Sequence, residues 1–211
     1  MTGSTIKIEN YLDELFPNPR CELNYNKDYE LLLATMLSAQ TTDKRVNSVT
    51  KILFDKYSSL KKLSKADIKD VEEIIKPIGT FRKKAKNLIE IAKKLEEDYG
   101  GKLPNNRQYL ETLPGVGRKT TNVVLSNIYN EPCIAVDTHV SRVSKRLKLA
   151  YLNDDPLKIE KKLNKKFDKK NLGKRHHQMV LFGRYYCTAR NPKCENCKLK
   201  DICRHYKKTF N

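Results

Sequence analysis

Nothing in the 211 residues approaches the roughly 20 consecutive apolar positions that a bilayer-spanning helix needs, and residues 1–10 lack the apolar core of a secretory signal. Both absences argue for a soluble, intracellular chain. Strict alternation of apolar and polar residues is scarce, which argues against a fold built on sheets. No low-complexity stretch marks a linker, and the length permits one large or two small domains with a real core. Acid is also short: 25 Asp and Glu stand against 43 Lys and Arg, a formal charge of +18. That surplus favours a polyanionic partner, nucleic acid first. Cysteine is rare outside the C-terminal tail, where only Cys21 and Cys133 occur. In a lysine-rich chain without a signal, disulfides rarely persist, so a disulfide framework is excluded.

The tail itself carries Cys187-x6-Cys194-x2-Cys197-x5-Cys203, a compact loop able to wrap four thiolates round one metal centre. Turn-forming Asn191, Pro192 and Asn196 surround them. Zinc and an iron-sulfur cluster both accept four thiolates. The spacing favours the cluster, because zinc sites usually use two short pairs separated by a long spacer, and here only Cys194 and Cys197 form such a pair.

Helical periodicity dominates the rest. Residues 29–39 read as a buried helix with Leu32, Leu33, Met36 and Leu37 on one side. Further helices are expected over 46–57, 67–75, 83–99, 107–112, 118–129, 138–147, 156–167 and 174–186, so the chain is all-α. Two segments resemble each other: Ile75-Lys-Pro-Ile-Gly-Thr-Phe-Arg-Lys-Lys-Ala and Leu113-Pro-Gly-Val-Gly-Arg-Lys-Thr-Thr each join two helices by a Pro/Gly turn that leads into a basic helix. In the second, Gly115 and Gly117 are expected to allow a left-handed backbone and to leave nothing above the turn, so that N–H groups can point at a phosphate. Arg118 and Lys119 oppose the helix dipole there and call for an anionic partner.

Four motifs, Leu31-Leu-Leu-Ala-Thr-Met-Leu-Ser-Ala-Gln-Thr-Thr-Asp43, Leu113-Pro-Gly-Val-Gly-Arg-Lys-Thr-Thr-Asn-Val-Val-Leu125, Ala135-Val-Asp-Thr-His-Val140 and the cysteine tail, occur in one order over almost the whole length. In this the chain resembles the bacterial endonuclease III family of helix-hairpin-helix DNA glycosylases. The resemblance implies a bifunctional base-excision enzyme that removes oxidised pyrimidines from duplex DNA and nicks the abasic site. It implies one 4Fe-4S cluster on Cys187, Cys194, Cys197 and Cys203. It also implies a six-helix domain over 22–131 and a cluster domain built from 1–21 and 132–211, with the duplex bound in the cleft between them. The expected partner is double-stranded DNA carrying damaged bases or abasic sites, with no membrane. The protein is expected to act as a monomer in the bacterial cytoplasm.

The chemistry needs an amine that attacks C1′, expels the base, forms a Schiff base and leads to β-elimination. The resemblance places that amine on Lys119, in the first turn of its helix. It places on Asp137 a carboxylate that helps activate the lysine and offsets the positive charge developing on the sugar; by position, Asp137 also suits a helix N-cap. Gln40 corresponds to a family glutamine near the stack vacated by the flipped nucleotide. Thr80 stands where the family commonly has a wedging leucine; it is a poorer wedge, so Phe81 or Ile78 is expected to take over that task. Gly115, Val116, Gly117, Arg118 and His139 complete the expected DNA-binding set, and Asp43 matches a further cleft residue. His176 and His177 read as helix packing.

Two readings compete within the superfamily. An adenine-mismatch glycosylase would lack the amine that Lys119 supplies, and the eight residues after Cys203 leave no room for its further C-terminal domain. A pyrimidine-dimer glycosylase is the other. From a different class, a non-enzymatic metal-bearing DNA-binding protein would need neither Lys119 nor Asp137.

Overall fold

The structure, a computed structural model, describes residues 2–210. Among them are twelve α-helices, one short 3-10 turn and no strand, as the periodicity requires. The chain divides into two compact units, one formed by the residues up to Arg20 together with those from Asn130 onward, the other by Cys21–Tyr129.

The second unit holds α2 (Asp28–Leu37), α3 (Asp43–Lys56), the single turn α4 (Leu60–Leu63), α5 (Ile68–Ile75), α6 (Phe81–Tyr99), α7 (Arg107–Thr112) and α8 (Arg118–Ile128). Residues 31–37 of α2 are buried without exception, so this helix is enclosed on every side rather than on the one side expected. The Glu30 carboxylate accepts the N–H groups of Asn26 and Lys27 and closes the helix start. α2 packs on α8, while α4 and α5 pack on α6. Leu53, Ile75, Leu88, Leu95 and Val124 fill the core between them. Polar caps begin the helices: Thr42 accepts from Arg45, Asp67 from Lys69 and Asn106 from Tyr109.

The first unit contains α1 (Gly3–Leu15), α9 (Thr138–Arg146), α10 (Pro156–Lys166), α11 (Leu172–Tyr185) and α12 (Arg204–Phe210). α11 packs along α9 and against α1. Its core gathers Ile8, Leu12, Val140, Val143, Leu163, Met179 and Phe182. Tyr11 meets the Phe182 ring edge-on. One polar tie crosses this core: the Arg175 guanidinium donates to Glu9, to both carboxylate oxygens of Asp13, and to Gln178. The periodicity missed α1, because the polar opening Gly3-Ser-Thr hides the Ile8, Tyr11, Leu12 stripe. The Thr2 side chain caps that helix through Thr5 N–H.

Candidate active site and metal centre

The turn between α7 and α8 is closed by Val116 N–H donating to Leu113 O at 3.0 Å. Its two exposed glycines do different work. Gly115 has φ +77°, and a Cβ there would lie 2.6 Å from Asn87 Nδ2 and 3.3 Å from Met36 Cγ. It is glycine both for its backbone and for what sits beneath it. Gly117 has φ −111° and ψ −178°, extended backbone open to any residue, and a Cβ there would meet nothing within 4 Å. The expectation of a left-handed backbone at both glycines therefore holds for Gly115 alone; Gly117 supplies the open space. It is the N-cap of α8 and forms no side-chain cap bond, and the first-turn amides of any α-helix lack intrahelical acceptors. Arg118 and Lys119 are exposed on that same first turn. The Val116 side chain is only 4 % exposed, so it anchors the turn in the core and does not present itself to a ligand.

Two further turns of this unit hold exposed residues at positive φ. Gln40, after the end of α2, has φ 57°, and Thr80, the N-cap of α6, has φ 56°. The Thr80 hydroxyl donates to Gly79 O at 2.7 Å. Phe81 is half-buried with the Arg82 guanidinium 5.0 Å over its ring. Ile78 is 2 % exposed and belongs to the core, which removes it as a wedge. Asp43 opens α3, half-buried.

In the first unit Asp137 is the N-cap of α9, its Oδ1 accepting Val140 N–H at 2.7 Å. The cap that its sequence position suggests is thus present. His139 follows in the first turn, with Nδ1 3.2 Å from Arg142 Nη2. Its backbone and Cβ press on Gly183 of α11, where an added Cβ would come within 2.8 Å of His139 Cβ. His176 is buried on α11, its ring centroid 5.0 Å from that of His177. Burial holds His177 below its ordinary pKa.

The four tail cysteines line one cavity of about 390 Å³ that includes space open to solvent, together with Leu147, Phe182, Tyr186 and Tyr206. Burial pushes the Cys187, Cys194 and Cys197 thiols up, and at Cys187 the Arg146 guanidinium works against it. Arg146 Nη1 donates to Cys187 Sγ at 3.3 Å and to Thr188 O at 2.7 Å, and Tyr206 N–H donates to Cys203 Sγ at 3.5 Å. Arg142 donates to Cys187 O and Gly183 O. Tyr11 O–H donates to Asn196 O, between the paired cysteines. Among the described residues no group of three or more His, Cys, Asp or Glu is arranged to hold a single metal ion. Four thiols round a shared cavity, two of their sulfurs accepting hydrogen bonds, fit the four-thiolate set that holds an iron-sulfur cluster. Cys133 is buried outside this set, and Cys21 lies in the other unit. Arg142, Arg146 and Tyr11 were not foreseen. The i, i+4 spacing of the two arginines behind Asp137 was the available signal, whereas Tyr11 had none once α1 was missed.

Residues 33–169 match the HhH-GPD superfamily of base excision DNA repair proteins, and residues 187–203 match the iron-sulfur binding domain of endonuclease III. The chain is 45% identical over 205 residues to endonuclease III of Bacillus subtilis, covering 96% of this chain and 94% of that one. It is likewise 45% identical over 204 residues to the enzyme of Rickettsia felis, covering 95% of each. Among solved structures, a trapped covalent intermediate of an endonuclease III with DNA superposes with a TM-score of 0.94 at 42% identity, covering 100% of both chains.

Proposed function

Since the chain belongs to the endonuclease III family of HhH-GPD base excision repair proteins, we infer that it removes oxidised pyrimidines from duplex DNA and nicks the strand 3′ to the resulting abasic site. The observation that carries this reading is the exposed Lys119 on a first helical turn that an open glycine cap leaves accessible.

The Lys119 Nζ lone pair attacks C1′ of the extruded nucleotide, and the C1′–N bond breaks with its electrons leaving on the base. The nitrogen then gives up a proton and its lone pair opens the sugar ring: the C1′–O4′ bond breaks with its electrons leaving on O4′, which takes up a proton, and a Schiff base results. That electron sink acidifies the 2′ hydrogen, so a base takes it and the 3′ C–O bond breaks with its electrons leaving on the phosphate. Asp137, held at the start of α9 by Val140 N–H, offsets the positive charge that grows on the sugar as the base departs. The α8 first-turn amides and the open face of Gly117 receive a backbone phosphate, positioning the duplex without reading its sequence. Gln40 and Thr80, exposed at the tips of their turns, fill the space left by the extruded nucleotide. Phe81, Gly115, Arg118 and His139 support these contacts.

We assign the 4Fe-4S cluster of the iron-sulfur domain to Cys187, Cys194, Cys197 and Cys203. When bound, it would cross-link the tail and add folding free energy to that of the hydrogen bonds from Arg142, Arg146 and Tyr11. The action belongs to the bacterial cytoplasm, where the chromosome is reached by a monomer. Duplexes each carrying one defined lesion, assayed for base release and strand scission, test the substrate class. Oxidised pyrimidines should be cut and released, whereas selective release of adenine from a mismatch without scission would overturn the reading.

A further inference from the structure

Lys84 is 4 % exposed in a chain rich in solvated lysines. Its ammonium donates to Leu37 O at 2.9 Å, Ala39 O at 2.7 Å and Thr41 Oγ1 at 3.4 Å. All three of its hydrogens therefore have acceptors, none of them a carboxylate. Burying a charge without a counter-ion is costly, and burial accordingly lowers the Lys84 pKa. The carbonyls ending α2 supply partial compensation through the negative end of the helix dipole, Leu37 being the last residue of α2. An apolar side chain would fill this space without the cost of desolvation, so the charge is explained by what it holds.

It holds the turn from Ser38 to Thr41. Gln40 sits there in the left-handed region, where glycine or asparagine would be the low-cost choice. Two of the acceptors, at Ala39 and Thr41, flank it in sequence. The backbone N–H of Lys84 in turn donates to Thr80 O at 3.1 Å, the carbonyl of another exposed residue at positive φ. One further turn along α6, Asn87 lies against Gly115. A single stripe of α6 therefore braces three turns of this unit.

We propose that Lys84 is a positioning residue for extrusion of the damaged nucleotide: it locks the Gln40 turn in the conformation that enters the duplex. The role rests on the assignment of Gln40 to the vacated stack. The test uses the cluster-loaded protein and a duplex carrying thymine glycol beside 2-aminopurine, whose fluorescence reports extrusion, with base release followed in single turnovers. Lys84→Met and Gln40→Ala should each slow extrusion and release about ten-fold. The double variant should be no slower than the slower single variant, because one residue acts through the other. Multiplicative losses in the double variant would overturn the proposal, as would a Lys84→Met protein that loses thermal stability but extrudes normally. If Gln40→Ala slows extrusion and Lys84→Met does not, the proposal alone fails. If Gln40→Ala extrudes normally, the assignment of Gln40 fails and the proposal with it. Should Lys84→Met not fold, Thr41→Val removes one acceptor from the loop side and must show the same non-additivity with Gln40→Ala, or the proposal falls.

Discussion

In the mechanism we propose, Asp137 serves structure and chemistry together. Its Oδ1 accepts Val140 N–H and starts α9, and asparagine caps a helix about as well. Asp137→Asn should therefore stay folded with little loss of thermal stability. Base release should fall by about 10²–10³-fold, since the charge opposite the sugar is gone, while scission of a preformed abasic site suffers less because no base has to leave. Equal losses in the two assays would place its role elsewhere. The cap was legible from an Asp directly before Thr138-His-Val. The setting of Lys84 was not, because a lysine within a basic helix start reads as solvated until α2 is seen to end beside it.

At the scale of elements, the two glycines of the α7–α8 turn can be separated by experiment. Gly115→Ala forces a Cβ onto a left-handed backbone and into Asn87, and should destabilise the protein by about 1–3 kcal/mol in chemical denaturation. Gly117→Val meets open space, so it should fold as wild type yet bind damaged and undamaged duplexes equally less well. A selective loss for one lesion would mean that the turn reads the base. Motif spacing made this turn legible, but not the division of labour, which depends on α2 and α6 passing beneath Gly115. The α1–α11 tie was invisible for a similar reason, its partners lying far apart in sequence. There the Arg175 guanidinium beside Asp13 holds that carboxyl well below the usual carboxylate range, against the effect of burial. A depressed carboxyl stabilises the fold fully above its unfolded pKa of about 4 and loses that contribution as pH falls. Arg175→Leu should cost about 3–5 kcal/mol at neutral pH, because it strands the buried Glu9. It should also flatten the acid limb of a stability-against-pH curve; an unchanged limb would show that Asp13 does not titrate through this tie.

Across the whole molecule, +18 of formal charge makes binding a matter of counter-ion release, and affinity for any duplex should fall steeply and linearly on a log–log salt plot. The all-α class, the four-cysteine centre and the hairpin were all legible because each rests on local pattern. Pure protein should be yellow-brown, and Cys187→Ser, Cys194→Ser, Cys197→Ser and Cys203→Ser should each lose the chromophore, unlike Cys21→Ser and Cys133→Ser. A colourless protein holding zinc would contradict the cluster. The nucleophile is tested most directly by borohydride trapping on a duplex with an abasic site. The wild-type protein should give one covalent adduct, mapped by peptide analysis to Lys119, and a folded, cluster-loaded Lys119→Gln should bind the duplex yet trap nothing. An adduct formed by Lys119→Gln would contradict the assignment of Lys119 and place the reactive amine on another residue.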